Sequence, residues 1–118
     1  MITSQLTEVV DRQLVAYNNG DFSTFTLCYD RNIQSYDFET NKLVPSMCGE
    51  SFFAHYEEKF AQNPEIFCEV TDRMVHDNLV VDKELIKGYN GKNHREMVIY
   101  CVENNLITKM WFSKEISE

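Results

Sequence analysis

The sequence predicts an α+β domain whose helices lie in the first half of the chain and whose strands lie mainly in the second. Apolar residues recur at helical spacing in three segments before residue 63, and four segments with the shorter period of strands follow. Pairs of turn-forming residues separate these four segments, which is typical of an antiparallel meander. With 118 residues, 43% of them hydrophobic, the chain can build one core, so we expect a single domain over residues 1–118.

Three segments predict the helices. The first, residues 3–19, carries an apolar stripe and ends before Gly20, a typical residue after the end of a helix. Asp21 can cap a second, short helix that follows directly. The third helix covers residues 50–62, and its apolar face contains Phe52, Phe53, Tyr56 and Phe60.

The strands follow from alternation and from turn residues. Residues 32–38 predict a first strand, and residues 43–47 predict a short strand that Pro45 marks as an edge or irregular one. The meander comprises residues 66–76, 79–89, 94–103 and 106–114. Its turns are Asp77-Asn78, Asn90-Gly91 and Asn104-Asn105. We therefore expect a curved sheet with the helices packed on one face.

Charge and apolar patterning exclude several classes of protein. Eleven Lys and Arg against nineteen Asp and Glu give a net charge of −8, and no basic run can follow a phosphate backbone, so we expect no nucleic-acid partner. No apolar run approaches the roughly 18 residues of a membrane span, and the N-terminal segment lacks signal-peptide features. The cysteines, at positions 28, 48, 68 and 101, contain no C-x-x-C pair. We expect reduced thiols in a cytoplasmic protein.

The sequence contains no strong catalytic motif. No nucleophile elbow, phosphate-binding loop or dinucleotide glycine pattern occurs, and the three histidines stand at no ligand spacing, so we expect neither a metal nor a cofactor. One polar residue, Gln13, interrupts the apolar stripe of the first helix. Either Gln13 forms a hydrogen bond to nearby backbone, or this face of the helix lines a cavity.

A second group of polar residues lies on the predicted hairpin around residues 77–78. A two-residue turn there places Arg73 opposite Asp82 and Thr71 opposite Glu84, so that Arg73, Asp82 and Glu84 share one face of the sheet. They form either a cross-strand ion-pair network or, in a pocket, an acid–base group. The other face of the hairpin is more apolar, which favours the network.

Four stretches of the chain carry a resemblance to a known family. They are VVDRQLVAYNNGDFSTFTLCYDRNIQSYDF, CGESFFAHYEEKF, LVVDKE and NNLITKMWF. They resemble the nuclear transport factor 2-like superfamily, in its SnoaL-like and ketosteroid-isomerase-like branch. This resemblance implies a cone, in which a curved antiparallel sheet wraps around three helices and encloses an apolar pocket. It also implies a homodimer, because members often pair through the outer face of the sheet.

The resemblance further implies positions for site residues. The ketosteroid isomerases of this superfamily use an aspartate on the first strand as a proton shuttle, with a tyrosine and a protonated acid as the oxyanion hole. The aspartate position falls on Asp37. The tyrosine position falls on Gln13, and the acid position at or next to Val98, so the oxyanion hole is not matched. Asp37 also precedes a polar turn, which an aspartate often caps.

Two hypotheses of function follow. In the first, the pocket binds a small, largely apolar molecule, and isomerase or lyase chemistry uses Asp37 as a general base that faces the pocket. In the second, the domain is a non-catalytic ligand-binding or dimerisation module. The pocket residues expected in both are Gln13, Tyr17, Phe53, Tyr56 and Tyr100. A third reaction, water activation on an epoxide, requires Arg73 with Asp82 or Glu84 in the pocket.

Overall fold

The computed structural model of this chain describes residues 3–118, and describes side chains from Leu6 onward. Within these residues the helices are α1 (Thr3–Asn18), α2 (Phe22–Thr26) and α3 (Gly49–Gln62). The strands are β1 (Tyr29–Asp37), β2 (Phe67–His76), β3 (Leu79–Tyr89), β4 (Lys92–Glu103), β5 (Leu106–Phe112) and β6 (Ile116–Ser117). The predicted helices and meander strands are therefore confirmed, with ends that differ by at most three residues.

The strands form one curved sheet in the order β1-β5-β4-β3-β2, and β6 pairs with the beginning of β4. Strands β2 to β5 form the antiparallel meander, whereas β1 runs parallel to β5. The expectation of a wholly antiparallel sheet is therefore wrong for β1. A parallel pair needs a long crossover connection, and here α3 and the first three strands of the meander supply it.

Two local features differ from the sequence prediction. Residues 43–47 do not form a strand: Leu43 makes a single bridge with Tyr36, and Pro45–Met47 is a 3-10 helix. Proline suits the first position of a helix because its ring fixes φ and it has no N–H to donate. The short strand β6 was not predicted, because two residues are too few to show a strand pattern.

Polar residues determine where several elements begin and turn. The Asp21 side chain accepts a hydrogen bond from the Thr24 backbone N–H at 3.2 Å and so caps α2. In the turns between strands, Asp77, Asn90 and Asn104 have positive φ angles of 52°, 53° and 52°. Asparagine and aspartate tolerate this conformation better than most residues, which explains why these pairs mark the meander correctly.

The core lies between the three helices and the concave face of the sheet. It is rich in aromatic rings, and Phe25 on α2 contacts the rings of Tyr29, Phe52, Tyr56 and Phe60 with centroids 4.8–6.4 Å apart. Burial of such rings supplies the main stabilisation of the cone. Among the described helices, none is both long and apolar enough to span a membrane.

Candidate functional site

A cavity lies inside the cone, between α1, α3 and the concave face of β3, β4 and β5. Aromatic and aliphatic side chains form most of its wall, but Gln13, Lys59, Glu84 and Glu96 also line it. The space open to the centre of a water molecule is about 20 Å³. A volume of this size holds about one water molecule. A larger ligand therefore requires wall residues to move, and the partly buried Leu14 and Phe112 lie at this wall.

Glu84 on β3 is the centre of a buried hydrogen-bond chain in this cavity. Its residue surface is only 4% exposed, and its Oε2 accepts a hydrogen bond from the Tyr100 hydroxyl at 3.1 Å. The Gln13 Nε2 donates to the Tyr100 oxygen at 3.3 Å, and the Tyr29 hydroxyl donates to the Gln13 Oε1 at 2.9 Å. The polar residue in the stripe of α1 thus lines the cavity and is satisfied by side chains.

Burial changes the protonation of Glu84. Loss of solvent is the main cause that raises the pKa of this carboxyl to about 8, and the nearby charges of Glu96 and Asp82 raise it further. Hydrogen bonds from Tyr100 and Cys68 oppose the rise. At pH 7 the carboxyl is mostly protonated, and a modest rise in pH ionises it. A group with such a pKa can both accept and return a proton near neutral pH.

The wall of the cavity also carries a second acid and a lysine. Burial raises the pKa of Glu96 to about 7, although the neighbouring Lys59 opposes this. The Lys59 Nζ lies over the ring of Tyr89 at 4.6 Å and over that of Tyr56 at 5.2 Å, and burial lowers the pKa of Lys59. These contacts hold an ammonium group at the cavity wall.

One hydroxyl in the cavity has no partner. Within the described part of the chain, the buried Tyr17 hydroxyl makes no hydrogen bond, and burial raises its pKa above the usual value. A buried hydroxyl without a partner costs free energy. This group is therefore available to a ligand oxygen.

The structure brings most of the predicted pocket residues together. Gln13, Tyr17, Tyr56 and Tyr100 all line the cavity. The prediction for Phe53 is wrong, because this residue does not line the cavity. It lies at the margin of the helix face, half-buried, where its ring packs edge-on against Phe52 and Tyr29.

The prediction that Asp37 faces the cavity is also wrong. Asp37 is the last residue of β1 and is exposed. Its Oδ1 accepts hydrogen bonds from the backbone N–H groups of Glu39 and Thr40, at 2.9 and 3.1 Å. The carboxylate therefore caps the turn that follows the strand, and the base implied by the resemblance does not reach the cavity.

Arg73 and Asp82 pair across the hairpin, as the predicted register requires. The Arg73 Nε and Nη2 donate to the two Asp82 oxygens at 2.6 and 2.9 Å, and Nη1 donates to Asp11 on α1 at 2.6 Å. A bulge at Thr71 places Val70 opposite Glu84 instead of Thr71. Arg73 and Asp82 do not line the cavity, so the arrangement needed for epoxide hydrolysis does not form.

The structure shows which face of this hairpin is buried, a question that the alternation of residues leaves open. Asp82 and Glu84 lie on the concave face, toward α1 and the core, and both are buried. The more apolar face, which includes Met74 and Val81, is the outer one. The sequence pattern suggests the reverse because charged residues usually lie outside.

Sequence reasoning missed Lys59 and Glu96 as cavity residues. Glu96 does share the strand alternation of Val98 and Tyr100, so its inward position could have been found from the pattern of β4. Lys59 gives no such signal, since a lysine near the end of a helix is normally solvated. Its burial depends on the rings of Tyr56 and Tyr89, which the fold brings together.

Comparison with known proteins identifies the fold. No protein-family model matches the sequence, and no curated protein matches it significantly. Among solved structures, an uncharacterized cystatin-fold protein from Novosphingobium aromaticivorans matches with a TM-score of 0.79 and 18% identity over 93% of this chain and 97% of that chain. A candidate ketosteroid isomerase from Kribbella flavida matches with a TM-score of 0.77 and 11% identity over 94% of this chain and 78% of that chain.

IdmH, a candidate polyketide cyclase from Streptomyces antibioticus, matches with a TM-score of 0.76 and 14% identity over 94% of this chain and 91% of that chain. These likenesses extend over nearly the whole chain. The chain therefore has the nuclear transport factor 2-like, or ketosteroid-isomerase-like, cone fold, as its sequence resemblance predicted. At such low identity the likeness establishes the fold alone, and the site must be argued from its own residues.

Proposed function

We propose that this chain binds a small, largely apolar carbonyl compound in the cavity and moves a proton on it, as isomerases and lyases do. The observation that carries this proposal is the buried Glu84 carboxyl, which lies in the cavity and accepts a hydrogen bond from Tyr100. Burying a carboxyl group away from water costs free energy of folding. Buried carboxyl groups with a shifted pKa are typical of catalytic and binding sites.

Two groups have complementary roles in this proposal. The free Tyr17 hydroxyl donates a hydrogen bond to the carbonyl oxygen and stabilises the charge that develops there. The ionised Glu84 removes a proton from the adjacent carbon and returns it to another position or to a leaving group. The chain from Tyr29 through Gln13 to Tyr100 holds Glu84 in place.

The alternative is a non-catalytic binding module of the same fold. The cavity volume does not separate the two candidates, because about 20 Å³ is far below the roughly 300 Å³ of typical small-molecule sites and any ligand meets the same obstacle. A substrate must displace Leu14, Phe112 or the Lys59 side chain to enter. The two candidates differ in one respect, which is whether Glu84 transfers a proton.

Hydrogen–deuterium exchange on small cyclic ketones and enones tests the proposal. In D₂O, we expect the protein to bind at least one of these compounds and to exchange the hydrogens next to its carbonyl. Glu84→Gln should reduce the exchange rate by about 10²–10⁴-fold, and Tyr17→Phe by about 10²–10³-fold. Asp37→Asn, at the exposed turn, should stay within about twofold of wild type.

Three outcomes would count against catalysis by Glu84. Binding without exchange would favour the binding module. Exchange that Asp37→Asn abolishes and Glu84→Gln leaves unchanged would mean that the wrong carboxylate is assigned here. Failure of the whole compound set to bind would reject the carbonyl class.

We further propose that the chain forms a homodimer through the outer face of its sheet. A groove on that face exposes mainly apolar surface from four side chains, with Met74 63% exposed. The four are Met74, Val81, Met97 and Ile116, and the charged residues Asp72, Arg73, Lys83, Arg95 and Glu96 complete the lining. Contiguous apolar surface of this kind is typical of interfaces. Sedimentation equilibrium at micromolar concentration should give twice the 13.9 kDa of the chain.

Met74→Lys should shift this equilibrium to the monomer. Leu27→Lys is the matched control, because Leu27 is 75% exposed but lies after α2 and away from the groove. A wild-type chain that sediments as a monomer would reject the proposal.

A further inference from the structure

His94 has an unusual environment near the beginning of β4. Its side chain points toward the inside of the cone and packs edge-on against the ring of Tyr89, with centroids 5.9 Å apart. The side chain is only 10% exposed, and among the described residues its Nε2 has no hydrogen-bond partner. A buried ring nitrogen without a partner requires an explanation.

Two carboxylates face this nitrogen. Oxygens of Glu96 and of Glu115 each lie 3.9 Å from the His94 Nε2, and the three candidate ligand atoms all lie within 4.8 Å of one another. A separation of 3.9 Å is too long for a hydrogen bond. The nitrogen and the two oxygens therefore surround a small space without bonding to each other.

The C-terminal segment brings Glu115 to this place. Strand β6 pairs with the first part of β4, with Ser117 opposite His94 and Ile116 opposite Arg95. Arg95 Nε also donates to a Glu118 oxygen at 2.8 Å. Glu115 precedes β6 directly, so this pairing positions its carboxylate beside the imidazole.

The donor set suits a transition-metal ion. Nitrogen and carboxylate ligands bind Zn²⁺ at about 2.0–2.2 Å, which places neighbouring ligand atoms roughly 3.3 Å apart in a tetrahedral site. The present 3.9 Å separations need only small side-chain movements to reach that value. The His94 Nε2 has no hydrogen-bond partner among the described residues, so its lone pair can bind a metal when the imidazole is neutral.

We propose that His94, Glu96 and Glu115 bind a divalent first-row transition-metal ion, with Zn²⁺ as the expected occupant, beside the cavity that Glu96 lines. Three protein ligands leave a position for water or another molecule. An open groove lies beside His94 and Glu115, along residues 89–93, and can give access to this position. This site adjoins the cavity of Glu84 through Glu96 but does not include Glu84, so metal binding can be tested without the proton transfer proposed there.

Lys59 opposes the metal. Its ammonium lines the same cavity wall as Glu96 and interacts electrostatically with both Glu96 and His94. A bound cation must therefore lie close to a positive charge. Lys59→Met removes the competitor and should strengthen metal binding by about tenfold or more.

Calorimetry of the chelator-treated protein with ZnCl₂ tests this site. We expect one Zn²⁺ per chain, with a dissociation constant in the micromolar range or below. His94→Gln should weaken binding at least about 100-fold. Glu115→Gln should weaken it about tenfold and should not impair folding, since the Glu115 side chain is 59% exposed. His76→Gln, an exposed histidine at the β2–β3 turn, is the matched control and should bind like wild type.

Spectroscopy localises the ion independently of enzyme activity. On addition of Zn²⁺, the ring ¹⁵N resonance of His94 Nε2 should shift, while those of His55 and His76 should not. Co²⁺ should give visible absorption without the intense near-ultraviolet band of thiolate ligands, which excludes the four cysteines. No binding at 1 mM Zn²⁺, or binding that both His94→Gln and Glu115→Gln retain, would overturn the proposal.

Discussion

Between pH 5 and pH 8, Glu84 should reduce the free energy of unfolding of the wild-type protein by about 3.5 kcal/mol, and Glu84→Gln should remove this loss. The carboxyl has a pKa of about 8 in the folded chain and an ordinary value of 4.5. Below pH 4.5 it is protonated in both states. As the pH rises, the unfolded chain loses the proton first, and the unfolded state gains stability relative to the folded one.

Urea unfolding in chelator-containing buffer measures this effect as the difference between the two proteins. The difference isolates Glu84, because the other groups with shifted pKa values are present in both proteins and cancel. The raised pKa of Glu96 lowers stability as the pH rises, whereas the lowered pKa values of His55 and His94 have the opposite effect. Glu57→Gln, on the exposed side of α3, removes the same charge at the surface and is the matched control. Parallel curves for wild type and Glu84→Gln would mean that Glu84 is solvated.

Arg73→Ala should destabilise the fold by about 3–5 kcal/mol, because it leaves the Asp82 carboxylate buried without its partner. The Asp82 side chain is 1% exposed and receives both hydrogen bonds of the guanidinium fork. Chemical unfolding near pH 7 gives this value directly. The effect is large because the buried negative charge of Asp82 loses the positive charge that balances it.

Asp11→Ala provides the control on the other side of Arg73. The Asp11 side chain is 55% exposed, and an exposed ion pair contributes only about 0–1 kcal/mol. The double variant Arg73→Met/Asp82→Leu should lose less stability than Arg73→Ala, since it removes the buried charge with its partner. A loss below 1 kcal/mol in Arg73→Ala would show that Asp82 reaches water.

The sequence predicted the architecture well, because the residues that end helices and form turns do so at the positions that the fold requires. Gly20 and Asp21 separate α1 from α2, and Asn or Asp residues with positive φ form the turns of the meander. Tertiary features were harder to predict. The parallel pairing of β1 with β5 depends on a connection of some 70 residues, and the bulge at Thr71 leaves no mark in the alternation.

The candidate site was predicted only in part, for a physical reason. Gln13, Tyr17, Tyr56 and Tyr100 stand on faces whose period points inward, so the sequence places them in the cavity. Glu84 and Asp82 also lie inward, but the usual rule for charges predicts the surface. Their burial depends on partners from other elements.

Asp37 shows the opposite error. It shares the alternation of the buried Ile33 and Ser35, but β1 ends at this residue and the turn that follows uses its carboxylate. A carboxyl at the last position of a strand is close to solvent and to backbone N–H groups. The position implied by family resemblance was therefore not enough to place the side chain.

The pKa of the Glu84 carboxyl is the most direct test of this account. The ¹³C resonance of its carboxyl carbon can be followed by NMR from pH 4 to pH 10 and assigned by its loss in Glu84→Gln. We predict a titration with a midpoint near pH 8. A midpoint between about 4 and 5, the range of a solvated glutamate, would contradict both the buried acid and the proton transfer assigned to it.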